Sequence, residues 1–198
     1  MTNSHYKSFS FAFFYKIIFK SWEMVVGPDL PKSEFWLCMV PTLMATLAVP
    51  FYAIFNHLNW NIWQLIIATF FAFDLFGGAI VNVTQTTHRW HHQPKHEFKY
   101  HFIFVMGHLH PLIIAWLYSS SNWSYFVVVY SYLLGATLSI LKSPIYLQRP
   151  LSMILYLGGL IINTYLFAAI PGLEWFLPVY FLKLLVSYLP QSSESSFS

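Results

Sequence analysis

Residues 86–111 read TTHRWHHQPKHEFKYHFIFVMGHLHP, and seven of the chain's nine histidines fall between His88 and His110. Neutral imidazole ligates zinc, iron, copper or nickel, and it exchanges protons near neutral pH. On a helix, His88, His91 and His92 occupy positions i, i+3 and i+4, so their rings share one face. Pro94 ends that helix, His96 lies in the turn beyond it, and His101 opens the next helical segment. The spacing makes His88, His91, His92, His96 and His101 candidate metal ligands. Cys38 is the only cysteine, so a metal must rest on imidazole, carboxylate or water. Iron or zinc is the expected ion, and nothing points to a nucleotide or a flavin. Two other readings stand beside the metal site. One is a site that handles protons; the other is a membrane-surface loop whose rings, with Arg89, Lys95 and Lys99, face anionic headgroups.

A second tier lies deeper. Asp74 sits inside the apolar run FDLFGGAIVNV, where an unpaired charge costs about 2.5–3.5 kcal/mol, so it should face the bundle and find a partner. His108 lies nine residues beyond Lys99, about 13 Å into the following span and level with Asp74. Asp74 and His108 are therefore expected to meet, as a catalytic or proton-relay pair. Gly77 and Gly78 would let the two backbones approach, and Asn82 would extend the polar seam. A purely structural pair, contributing on the order of 1 kcal/mol, is the plain alternative. Asp74 and His88 are 14 residues apart, about 21 Å along a helix, which predicts two separate sites. His110 points about 200° away from His108 and can join it only through a kink at Pro111.

HRWHH and GHLHP resemble the histidine boxes of the membrane fatty-acid desaturase and hydroxylase superfamily. The resemblance implies two irons at the cytoplasmic face of a helical bundle and oxygen-dependent oxidation of a lipid-like chain. His88, His91 and His92 would form an HxxHH box. The match covers about 25 residues; no HxxxH box precedes it and no histidine follows His110. His96, His101, His108 or Asp74 would have to supply the remaining ligands.

The elements that carry these residues follow from composition. Of 198 residues, 57% are hydrophobic and only 9% charged, against about 25% charged in soluble domains. Apolar stretches of about 20 residues recur, which marks an all-α, polytopic integral membrane protein. Six spans are expected, near 35–55, 60–83, 100–118, 123–141, 151–170 and 173–189, with Pro171-Gly172 as the turn between the last two. Lys16, Lys20 and Glu23 share one face opposite a Phe-rich face, predicting an interfacial helix within 1–33. A re-entrant or tilted segment is its alternative. The tail 190–198 is polar and expected to be disordered. No repeat or linker divides the chain, so 1–198 reads as one domain.

All ten cations fall on one side of this arrangement if Lys183 snorkels, and the positive-inside rule makes that side cytoplasmic. Both termini and the histidine loop would then face the cytoplasm of a cell-membrane protein. The net charge of +3 is small and dispersed, so membrane lipid rather than nucleic acid is the expected partner. Three functions are open: a metal-dependent oxidoreductase or hydrolase acting on lipid-like substrates, a small proton- or ion-coupled transporter using Asp74 and His108, and a noncatalytic component binding lipid or a partner. In the hydrolase form Glu97 is the only carboxylate in the loop.

Overall fold

The computed structural model describes residues 26–28, 30–96, 98–119 and 122–191. The expected interfacial helix, Glu97 and the tail beyond 191 lie outside them. Among the described residues all regular structure is helical: α1 (Lys32–Phe55), α2 (Ile62–Val81), α3 (Gln85–His91), α4 (Phe98–Met106), α5 (His110–Leu117), α6 (Trp123–Lys142), α7 (Ile145–Leu166) and α8 (Phe176–Phe181). α8 runs on without interruption as a π-helix, Leu182–Tyr188. Five units are long and apolar enough to cross a membrane: α1, α2, α4 with α5, α6 and α7.

Local signals set several boundaries. Asn61 accepts from the Gln64 N–H at 3.0 Å while the Gln64 side chain accepts from the Asn61 N–H at 2.7 Å, a capping box that starts α2. Thr84 caps α3 by accepting from the Thr87 N–H. α7 begins at Ile145, earlier than the expected 151. Its first residues follow Pro144, whose φ of −56° suits a helix entry, and Pro150 is absorbed within the helix.

The expected sixth span departs most from its reading. Phe176–Tyr188 has 13 helical residues, about 20 Å at 1.5 Å per residue, against roughly 30 Å of hydrocarbon. It is the centre of the bundle. Phe176, Leu177, Tyr180, Phe181, Leu184, Leu185 and Tyr188 are all buried, and the segment packs on α2, α6 and α7. Lys183 therefore has no route to an interface; it is buried and turned into the bundle, not snorkelling.

α2 packs mainly along α1 and the terminal segment, with α4–α5 reaching it through side chains. The two glycines of α2 serve these neighbours. Gly77 faces Thr42 of α1, and a Cβ on Gly78 would sit 2.4 Å from Lys183 Cε. The loops sort to two ends. Gly172 packs against Leu58 and Trp60, whereas His88 meets Pro190 and Gln148 accepts from the Gln191 N–H.

Candidate functional site

The span 98–117 is broken in its middle. Helix stops at Met106 and resumes at His110, with Gly107, His108 and Leu109 between. Gly107 weakens the helix, and Pro111 can only sit in the first turn of a new one. Non-helical backbone at membrane depth needs local partners, and it has them. The His108 ring donates from Nδ1 to the Phe104 carbonyl at 2.7 Å. Tyr130 donates to the Met106 carbonyl and Tyr180 to the His108 carbonyl, each at 2.6 Å.

The break puts His108 and His110 side by side, with ring centroids 5.4 Å apart and 23° between planes. The span does break, but at 107–109 rather than at Pro111, which sits in the first turn of the following helix. Asp74 lies opposite. Its Oδ2 accepts from Lys183 Nζ at 2.6 Å and lies 3.2 Å from His110 Nε2. His108 makes no hydrogen bond to Asp74; the two line a common cavity instead.

That cavity has a volume of about 220 Å³. Its polar wall includes Asp74, Lys183, His108, Asn82, His91 and Thr42, and its apolar wall comes from Val26, Leu30, α1, α2 and Phe104. Both bonds to Asp74 fall on Oδ2, and the side chain is 34% exposed whereas that of Lys183 is 4% exposed. Both members of the ion pair line the cavity, the carboxylate more openly than the ammonium. Asn82 Nδ2 and His110 Nδ1 are buried with no hydrogen-bond partner among the described residues. Comparison with protein-family models, with curated proteins and with solved structures finds no match. Chemistry must carry the reading.

The shallow histidines bond carbonyls and tyrosine hydroxyls, some within their own stretch and some on the terminal segment. His88 Nε2 donates to the Pro190 carbonyl at 3.0 Å, and His96 Nδ1 donates to the His91 carbonyl at 2.9 Å. His92 Nδ1 faces the His88 carbonyl at 3.0 Å. His91 and His101 bond the hydroxyls of Tyr100 and Tyr188 through Nδ1, at 3.1 and 3.2 Å. His92 stacks between His88 and His101, with centroids 4.2 and 5.0 Å away. A tetrahedral zinc or a non-haem iron needs three or more donors converging at about 2.0–2.2 Å. Among the described residues no group of three or more His, Cys, Asp or Glu side chains is placed to hold a metal ion. The iron or zinc expectation, and the ligand set implied by the histidine-box resemblance, find no support in this donor geometry.

Burial, reinforced by the adjoining His88 ring, pulls His92 from 6.5 down to about 4. The unfolded chain takes up its proton near pH 6.5, the folded chain only near 4, so the folded state loses stability as pH falls through that window. Thermal unfolding in detergent between pH 8 and 4.5 should show this fall, and His92→Gln should make it shallower. An unchanged profile in the variant would remove His92 as a contributor.

Lys183 is the site residue that the sequence reading placed elsewhere, at an interface, and His110 was tied to the site only through a kink at Pro111. Lys183 carried a usable signal, since a lysine in the middle of the expected 173–189 span must, like Asp74, find a partner.

Proposed function

We propose that this integral membrane protein binds a small apolar anion in the Asp74 cavity and takes up a proton as it does so. The observation that carries the reading is the Asp74–Lys183 ion pair. It stands at the break of a span, with its carboxylate open to a largely apolar cavity. Intramembrane ionisable residues mark ion or proton paths by default, and interrupted spans line such sites in small transporters.

Charge balance supplies the mechanism. With neutral imidazoles, Asp74 and Lys183 sum to zero. An anion entering beside Lys183 would leave the cluster at −1, which costs several kcal/mol in a low-dielectric interior. One proton taken up by the Asp74–His110 pair restores neutrality and frees Lys183 for the ligand. The unpaired Asn82 amide adds a donor. A volume below the roughly 300–1,000 Å³ of drug-sized pockets favours a small occupant, such as a short-chain monocarboxylate. In this reading the positive-inside rule places the histidine end, with Arg89, Lys95, Lys99, Lys142 and Arg149, in the cytoplasm.

Calorimetric titration of the detergent-solubilised protein with butyrate, in buffers of different ionisation enthalpy, counts the protons. About one proton per bound butyrate is expected for the native chain and none for Asp74→Asn. A proton count that persists in Asp74→Asn, or no binding of butyrate or benzoate to the native chain, would end this reading.

A further inference from the structure

The protein has two arginines, Arg89 and Arg149, and both line one groove of about 440 Å³. They reach it from different elements, Arg89 from α3 and Arg149 from the first turns of α7. No carboxylate lines the groove, and among the described residues neither guanidinium is in an ion pair. In a chain with so few charges, two unpaired guanidinium groups facing one space are a specific arrangement. Guanidinium suits phosphate because its planar fork donates two parallel hydrogen bonds to two oxygens.

The surroundings extend the match. Gln85, His88 and Ser187 add polar side chains to the groove. Apart from Ser152, its remaining wall is apolar and includes Val83 and Met153, which are 62% and 45% exposed. These two lie where α2 and α7, both long and apolar enough to span, approach the end of the bundle. A free anion would leave the apolar wall unused. An amphiphile would set its phosphate between them and its chain along the apolar wall, as headgroups do in basic pockets between spanning helices.

We propose that this groove binds the phosphate headgroup of an anionic phospholipid, clamped between Arg89 and Arg149. The site shares no residue with the Asp74 cavity and stands whether or not that cavity binds an anion.

The test uses the full chain in neutral detergent. It is offered equal amounts of phosphatidylglycerol and phosphatidylcholine with the same acyl chains, and retained lipid is read by native mass spectrometry. Native protein is expected to retain phosphatidylglycerol at least about tenfold better, a difference of about 1.4 kcal/mol. Arg89→Gln and Arg149→Gln should each cut retention about tenfold, and the double variant should fall to the phosphatidylcholine level. Arg149→Lys keeps the charge without the fork and should retain an intermediate amount, which separates headgroup recognition from loss of fold. Equal retention of both lipids, or undiminished phosphatidylglycerol on the double variant, would overturn the proposal. So would displacement of the lipid by equimolar inorganic phosphate, which would assign the groove to a free anion.

Discussion

Asp74→Ala is expected to destabilise the protein by about 3–5 kcal/mol, and Lys183→Met by clearly less, about 1–3 kcal/mol. The asymmetry follows from exposure. Lys183 is 4% exposed, so removing its carboxylate strands an ammonium group in the core beside imidazoles and Gly78. Asp74 is 34% exposed and keeps His110 at 3.2 Å, so losing the lysine leaves it with a partner and a cavity. The double variant Asp74→Ala/Lys183→Met should recover most of the loss, because removing both members of a buried ion pair leaves no uncompensated charge behind. Denaturant unfolding in detergent, arranged as a double-mutant cycle, measures the coupling. Additive losses would mean that the two side chains do not interact, and equal single losses would contradict the exposure argument. A near-neutral double variant would also bear on function. A pair that can be replaced at little cost is not there for stability, which leaves the work proposed for the cavity as the reason to carry it.

The same pair shows what a sequence reveals and what it hides. α1, α2 and α6 were legible because each is a run of about 20 apolar residues between polar or proline breaks, and hydropathy needs no knowledge of neighbours. Asp74 was legible as a residue that must have a partner, since burial of a charge is penalised whatever surrounds it. Which partner it takes was not. Level-matching along consecutive helices put His108 beside it, because chain order was used as a guide to adjacency. In the fold, α2 lies against α1 and the terminal segment, and Lys183 arrives from the far end of the chain. His110 entered through the break at 107–109. Gly107 and Pro111 announced a weak point in the helix, but the direction of the turn depends on Tyr130 and Tyr180 capturing its carbonyls. The histidine loop is legible only in part for a related reason. Spacing gives which rings share a helix face, whereas their orientations also depend on local carbonyls and on Tyr188 and Pro190 of the terminal segment, which the spacing does not encode.

Gly78→Ala is expected to cost about 1–3 kcal/mol, the range for an added methyl in a packed interior. In an open helical position the same change should stabilise by up to about 1 kcal/mol through helix propensity. Gly135→Ala supplies that comparison, because a Cβ there would meet nothing within 4 Å. At Gly78 the new methyl would lie 2.4 Å from Lys183 Cε and 2.9 Å from Cδ. A lysine chain usually swings away from such a clash at small cost. This one is fixed at its head by Asp74 at 2.6 Å and at its base by a segment whose Leu184 and Leu185 are fully buried. Relief requires either lengthening the ion pair or displacing the terminal segment from the bundle centre. The decisive comparison is Gly78→Ala in the Lys183→Ala background, where the obstructing chain is gone and the substitution should become neutral or mildly stabilising. If alanine at position 78 costs the same with and without the lysine side chain, the strain lies elsewhere and the close passage of Lys183 over α2 does not explain the glycine. If the cost vanishes, the glycine is there to admit the lysine.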